Sequence, residues 1–270
     1  VSRTSKVHPA WRVSTILLTG VVIIGGIFGL TQGEDTKPSE SQPQVSSEAS
    51  SVSTSAAAQA IEDSPFAEFI ENSTGSQITF VSLKDDFRTG TSTERFARPA
   101  LSLGKLYIAE YVLERGTENE KALALEMIRS SSDVSAEILY DTYPDSIEAI
   151  ADEFGLLSTR GDEHWGYSVT STYDLVKFLS TLIIEQPESP ILEAMRNANE
   201  FAVDGYPQDW GTAVLPGAEG SKWGWSDDRL LHSSITFGED YVVAAAVTGT
   251  KEDLTQLVEN QLSEVISRNN

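Results

Sequence analysis

The sequence predicts an α+β domain, preceded by one transmembrane helix, in which a single antiparallel sheet takes strands from both ends of the chain and packs on a helical block. Three observations carry this reading. Strand-length runs rich in β-branched and aromatic residues stand at 76–86 and again at 220–250, helical periodicity fills the interval, and a charge-free apolar run occupies 13–33.

In chain order, residues 13–33, VSTILLTGVVIIGGIFGLTQG, are long enough to cross a bilayer as a helix. Arg3, Lys6 and Arg12 precede the run and Glu34 and Asp35 follow it. The positive-inside rule therefore puts residues 1–12 in the cytoplasm and the rest of a single-pass protein outside it. A cleaved signal peptide leading to secretion is the alternative, although no A-x-A site is evident. Residues 34–60 are dominated by Ser, Pro, Gln, Ala and Glu, too poor in large apolar groups to offset the entropy of ordering, and read as a linker. From 61 to 270 the composition becomes that of one globular domain of ordinary size.

Within that domain, SQITFVSLKDD (76–86) alternates partly and runs into a polar, Gly-containing stretch that suits a hairpin. Helices are predicted from Ser102 to Arg115, Glu118 to Ile128, Val134 to Tyr140 and Ser146 to Phe154. Ser171 with Asp174 three residues on resembles a capping box for a helix reaching about Glu185. Segments 220–226, 229–240 and 241–250 read as three strands, the last two joined by a Gly-Glu-Asp turn, and an amphipathic helix closes the domain from Lys251 to Ile266.

Composition excludes several functions. A formal net charge of −22 opposes binding to nucleic acid or anionic lipid by the globular part, which would require clustered Lys and Arg. With no cysteine there is no disulfide, thiol catalysis or Cys-zinc site. His8, His164 and His232 form no H-x-x-x-H pair and no phosphate-binding glycine motif occurs, so neither metal nor cofactor is expected. Asn72-Ser73-Thr74 is a glycosylation sequon by pattern alone.

The chemistry-bearing feature is RPALSLGKLYIAEY (98–111), which holds a Ser-x-x-Lys pair that occurs once in the chain. If Ser102 begins a helix, Lys105 lies one turn on along the same face, within reach of the serine proton. A lysine in a dry pocket near other cations loses proton affinity and becomes a base. The competing reading is a helix N-cap with a solvent-facing charge. A Ser-His-Asp hydrolase has less support, because no G-x-S-x-G elbow exists for His164 or His232 to serve.

Pro99 to Lys105 after a hairpin resembles the first motif of the penicillin-recognising serine hydrolases, the superfamily of serine β-lactamases and D,D-peptidases. MIRSSSDVSAEIL (127–139) is similar to the second motif at Ser131-Ser132-Asp133, and GSKWGW (220–225) to the third at Lys222-Trp223-Gly224. The resemblance implies a β-lactamase/transpeptidase-like fold with Ser102 as nucleophile, Lys105 as its base, Ser131 as a proton relay and Lys222 keeping the network positive. It implies an oxyanion hole from the N–H of Ser102 and one near Trp225. Asp133, Trp223, Gly224, Trp225 and His232 are the expected substrate-binding positions, with Arg229 as a second candidate beside His232 for a carboxylate subsite on the strand that follows.

Departures from the pattern carry consequences. Asp133 stands where an amide is usual and offers Lys105 an acceptor. Trp223 replaces a hydroxyl residue and is expected to add bulk beside the site. Ser131 follows Ser102 by 29 positions, a short interval, and 160–170 offers only Glu163 in place of E-x-x-L-N, so efficient antibiotic hydrolysis is not expected. Two function classes follow: a membrane-tethered, extracytoplasmic serine acyl hydrolase acting on cell-wall peptides or β-lactam-like amides, and a catalytically degenerate relative that binds a wall component or partner protein. Retention of Ser102, Lys105 and Lys222 favours the enzyme.

Overall fold

The computed structural model describes residues 75–85 and 87–269, with side chains to 266. The predicted cytoplasmic tail, transmembrane segment and linker, and the first residues of the globular domain, lie outside the described residues. Among the described residues no helix is long and apolar enough to cross a membrane.

Strands β1 (Ser76–Ser82) and β2 (Arg88–Gly90) form the first hairpin, and the short β3 (Arg98–Pro99) leads into a 3-10 turn, Leu101–Leu103. Helices α1 (Lys105–Arg115), α2 (Glu118–Ser130), α3 (Asp133–Thr142) and α4 (Ser146–Phe154) follow. A 3-10 turn at Trp165–Tyr167 and β4 (Val169–Thr170) precede α5 (Thr172–Glu185) and α6 (Pro190–Arg196). A 3-10 turn at Gly211–Val214 then leads to β5 (Ala218–Trp225), β6 (Leu231–Gly238), β7 (Tyr241–Thr248) and α7 (Lys251–Asn269).

The five-stranded sheet runs β2-β1-β7-β6-β5, antiparallel throughout, so the first hairpin joins the last strand as expected. A separate two-stranded ribbon pairs β3 with β4, Arg98 opposite Thr170. Central β7 is buried on both faces. Val242 and Ala244 pack with the helical block, while Val243, Ala245 and Val247 pack with Leu254, Val258 and Leu262 of α7. This double burial explains why YVVAAAVT reads as a continuous apolar run instead of an alternating one.

Local capping sets the helix starts. Thr117 and Glu120 form a reciprocal capping box for α2. Ser171 caps α5 by accepting from the Asp174 N–H at 3.1 Å, but the Asp174 carboxylate turns away and accepts from Ser158 N (2.7 Å) and Thr159 Oγ1 (2.9 Å). It thereby ties the 155–168 loop to the helix instead of completing the expected box.

One carboxyl group is enclosed in the helical block. Glu110 on α1 is 2% exposed and accepts from Gln186 Nε2 at 3.1 Å. Burial, helped by the charges of Glu114 and Glu153, pushes its pKa up to about 7 from the ordinary 4.5. A raised acid pKa favours the fold below the unfolded pKa and is lost as pH rises through the folded one. Replacing Glu110 by Gln should therefore leave unfolding free energy almost unchanged at pH 4 and raise it at pH 8. From about 1.4 kcal/mol per pKa unit the gain is on the order of 3 kcal/mol. Equilibrium urea unfolding at the two pH values measures the difference; equal effects at both would contradict the assignment.

Candidate active site

The backbone places Ser102 before any side chain does. Leu101 has φ 53°, a left-handed conformation unusual for a branched residue, and it opens the 3-10 turn that carries Ser102. Regular helix begins at Lys105 and not at Ser102, so the pair spans a tight turn plus the first residue of α1. The turn is anchored from behind by Ala100 N donating to Ser168 O at 2.8 Å. On the other side it abuts β5 at Gly224. A Cβ there would stand 2.9 Å from Leu101 Cβ and 3.0 Å from Ser102 N, so only glycine permits this approach.

Around Ser102 the structure gathers residues from four segments. Lys105 Nζ donates to Ser102 Oγ (2.9 Å), to Ser131 O (2.7 Å) and to Asp133 Oδ1 (2.5 Å). Lys222 Nζ, arriving from β5, donates to Ser131 Oγ (2.7 Å) and to Trp223 O (3.2 Å). Ser131 serves both lysines because it caps α2 in the left-handed conformation, φ 56°, which sends its carbonyl to one amine and its hydroxyl to the other. Ser132, next along, caps α3 by accepting from Ser135 N at 3.1 Å and thereby fixes Asp133 as the first residue of that helix.

Both lysines are 0% exposed, and burial disfavours their charged forms. Burial lowers the Lys105 pKa, while the charge and hydrogen bond of Asp133, and the charge of Asp204, act to raise it. Lys222 is pushed well below its ordinary value, first by burial and then by the charge of Lys105, with Asp133 opposing. Asp133 itself is water-facing, its side chain 71% exposed. The arrangement can deprotonate Ser102 with an amine, hold Ser131 Oγ as an acceptor from Lys222, and leave the Ser131 proton free for transfer.

The edge of the sheet supplies donors. Ser226 N bonds inward to Leu231 O, and the two-residue alternation of an antiparallel strand then turns the Trp225 N–H away from β6, to the open edge of the sheet. That N–H and the N–H of Ser102 are the two donors that the resemblance implies for a developing oxyanion.

The same alternation separates the four expected substrate-binding residues that lie on β5 and β6. Lys222 and Gly224 face the helical block. Trp223, Trp225 and His232 face the α7 side, since Trp225 stands opposite His232 and Trp223 opposite Ser234. Trp223 therefore adds no bulk beside Ser102. It is 4% exposed, packs in the α7-side core and donates its indole N–H to Trp210 O at 2.8 Å.

Nor does His232 bring positive charge to the cleft. It is fully buried, with Nδ1 at 2.7 Å from Gly249 O, which requires a proton on that nitrogen, and Nε2 at 2.9 Å from Tyr206 OH. Burial, foremost, lowers its pKa. Arg229 belongs to the β5–β6 turn and not to β6, with φ 60°. Trp225, half-buried at the strand end, donates to Asp204 Oδ2 at 3.1 Å.

Two neighbours were not expected. The Trp165 ring lies 4.7 Å from Lys105 Nζ, a cation–π distance, and its indole N–H donates to Glu137 Oε2 at 3.1 Å. Asp204 stands on a loop tied to the end of α2 by Val203 N donating to Ser130 O at 2.9 Å. Trp165 stands 60 positions from Lys105 in a segment without periodicity, and Asp204 lies in another such loop, so nothing in the sequence marks either. Glu163 is exposed.

This geometry is that of a known fold, the one shared by serine β-lactamases and penicillin-binding proteins. The Listeria monocytogenes penicillin-binding protein D2, in its cefotaxime-bound form, matches with a TM-score of 0.53 at 19% identity over 70% of this chain and 95% of its own. A β-lactamase from Xanthomonas campestris pv. campestris matches with 0.59 at 16% identity, over 74% and 96%. A class A β-lactamase from Mycobacterium abscessus matches with 0.58 at 13%, over 76% and 97%. No protein-family model matches the sequence, and no curated protein matches it. The chain is a divergent instance of this fold.

Adjacent substitutions test the two faces of β5. Gly224→Ala should slow covalent labelling of Ser102 by an acyl probe at least tenfold with the fold retained by circular dichroism. Trp223→Ala should instead cost about 3–5 kcal/mol of stability in urea unfolding, the usual range for emptying a buried aromatic site. Slow labelling only in the tryptophan variant would reverse the assignment.

Proposed function

We propose that the chain is a serine acyl hydrolase working through an acyl-enzyme on Ser102. The observation that carries the reading is the 2.9 Å contact of Lys105 Nζ with Ser102 Oγ inside a buried network shared with a second lysine. The reaction needs neutral Lys105. Its lone pair takes the Ser102 proton as Oγ attacks the carbonyl carbon, and its two remaining N–H groups stay on Ser131 O and Asp133. Negative charge on the carbonyl oxygen falls between the N–H groups of Ser102 and Trp225. Ser131, already accepting from Lys222, passes its own proton to the leaving nitrogen as the C–N bond breaks, and the proton that Lys105 took from Ser102 moves on to Ser131 in its place, leaving Lys105 neutral again. Lys105 then takes a proton from the water that attacks the ester carbon, and returns it to Ser102 Oγ as the acyl C–O bond breaks.

Peptide amides of the cell wall are the substrate class this reading favours, with the protein held outside the cytoplasm by segment 13–33. A penicillin-binding protein among the structural neighbours supports it. Rapid turnover of β-lactams is not proposed, because an aromatic ring, Trp165, covers the lysine ammonium and the 160–170 loop has no carboxylate in contact with it.

A second reading has one observation in its favour. Asp133 takes the third donor of Lys105, so the resting pair is an ammonium with every N–H engaged. A chain locked in that state would be a binding module. The full chain, treated with a fluorophosphonate and with a fluorescent penicillin, separates the two. The enzyme reading expects a covalent mass increase that Ser102→Ala abolishes; no adduct with either probe sinks it.

The pH dependence gives a further check. Acylation should fall as pH drops through the Lys105 pKa. Asp133 opposes the lowering of that pKa by burial, so Asp133→Asn should move the acidic limb of the acylation profile to lower pH. An unmoved limb, or one displaced to higher pH, contradicts Lys105 as the base.

A further inference from the structure

The β5–β6 turn carries a cation, Arg229, that is 38% exposed at its side chain and already paired with a carboxylate. Its Nη2 donates to Asp204 Oδ2 at 3.0 Å. Its Nη1 is enclosed and has no hydrogen-bond partner among the described residues. The guanidinium lies 4.1 Å from the Tyr206 ring centroid and 5.5 Å from that of Trp225. One end is thus committed to a carboxylate, the other is shut away, and aromatic rings occupy its flank.

Asp204 is held with corresponding completeness. Oδ2 accepts from both Arg229 Nη2 and Trp225 Nε1, the latter at 3.1 Å, while Oδ1 accepts from Tyr206 N at 3.0 Å. Its loop is fastened to the end of α2, next to Ser131, by two backbone bonds, Val203 N to Ser130 O and Asn199 N to Arg129 O at 3.0 Å. Gln208 Nε2 adds a third tie by donating to Arg129 O at 3.0 Å. The carboxylate is close enough to the buried network for its charge to act on Lys105.

The other cations are committed in the same way. Lys105 is paired with Asp133, and fully buried Lys222 is disfavoured in its charged form by burial and by Lys105. No ammonium or guanidinium in this set retains an unpaired positive charge for an incoming anion. A second carboxylate reaching Arg229 would instead meet Asp204 as a like charge, across a pair whose side chains are 38% and 45% exposed.

We propose that Asp204 is a specificity-determining residue: it fills, with the protein's own carboxylate, the place beside Arg229 that a substrate carboxylate would take, so the site accepts acyl donors without a free carboxylate on the leaving side. Amide- or ester-capped peptides and amine-bearing leaving groups fit; carboxylate-terminated ones are rejected. This inference rests on the acyl-enzyme reading of Ser102 and narrows its substrate class.

Two thioesters with the same acyl group, one leaving group ending in a carboxamide and the other in a carboxylate, test it on the full chain. The quantity read is the ratio of their second-order rate constants for acylation, followed by mass spectrometry. The wild-type chain should prefer the carboxamide at least tenfold. Asp204→Asn should lower that preference at least fivefold, and Arg229→Gln, which strips Asp204 of its counter-charge, should increase it. Preference for the carboxylate in the wild type, or a ratio unmoved in both variants, overturns the inference. Fluorophosphonate labelling run in parallel tells the two failures apart. Labelled Ser102 with an unmoved ratio overturns the role of Asp204 alone, whereas no labelling and no acylation overturn the enzyme reading and this inference with it.

Discussion

A lysine ammonium with no exposure to water has to find an acceptor for each of its three N–H groups, and Lys105 finds them on three separate segments. Ser102 Oγ comes from the turn that opens α1, Ser131 O from the end of α2, and Asp133 Oδ1 from the start of α3. Satisfying one buried cation therefore fixes three backbone junctions relative to one another. The left-handed conformation of Ser131 extends the constraint to the sheet, because its hydroxyl then accepts from Lys222 on β5. In the proposed acyl transfer, the interactions that position Ser102 are also the ones that carry its proton.

That dependence explains why β5 is both an edge strand and a two-sided one. Its outer edge is unpaired, which keeps the Trp225 N–H out of the ladder, and its helical-block face has to be glycine at 224 so that the Ser102 turn can touch it. The opposite face carries Trp223 into a core with Trp210 and α7 residues. Large aromatic residues on that face hold the strand by burial where ladder hydrogen bonds are missing on one side.

Much of this was readable in the chain. The order of strand, helices and three strands follows from runs of period 2 and 3.6, and the Ser102–Lys105 contact follows from a spacing of three residues at a helix entrance. Which face of β5 and β6 each residue serves was not readable. Both sheet faces are covered, so LHSSITFG is buried almost from end to end and its pattern does not alternate between wet and dry. His232 and Trp223 then look as available to a cleft as Lys222. Trp165 and Asp204 escaped for another reason. They sit in the 155–168 and 199–210 loops, whose positions are set by tertiary bonds, such as Val203 N to Ser130 O and Ser158 N to Asp174 Oδ2, that leave no periodic trace.

The two carboxylates beside the network divide the electrostatic work. Asp133, exposed to water, bears on whether Lys105 holds a proton; Asp204, locked to Arg229 and Trp225, bears on what charge a visitor can carry. A cleft that drew anions by long-range attraction would need positive potential at its mouth, and a chain of formal charge −22 opposes that from a distance. Pairing each cation locally points the same way as the charge of the whole chain. In the proposed reaction the lysine pair serves the proton transfers inside the network, and selection among acyl donors falls to the carboxylates around it.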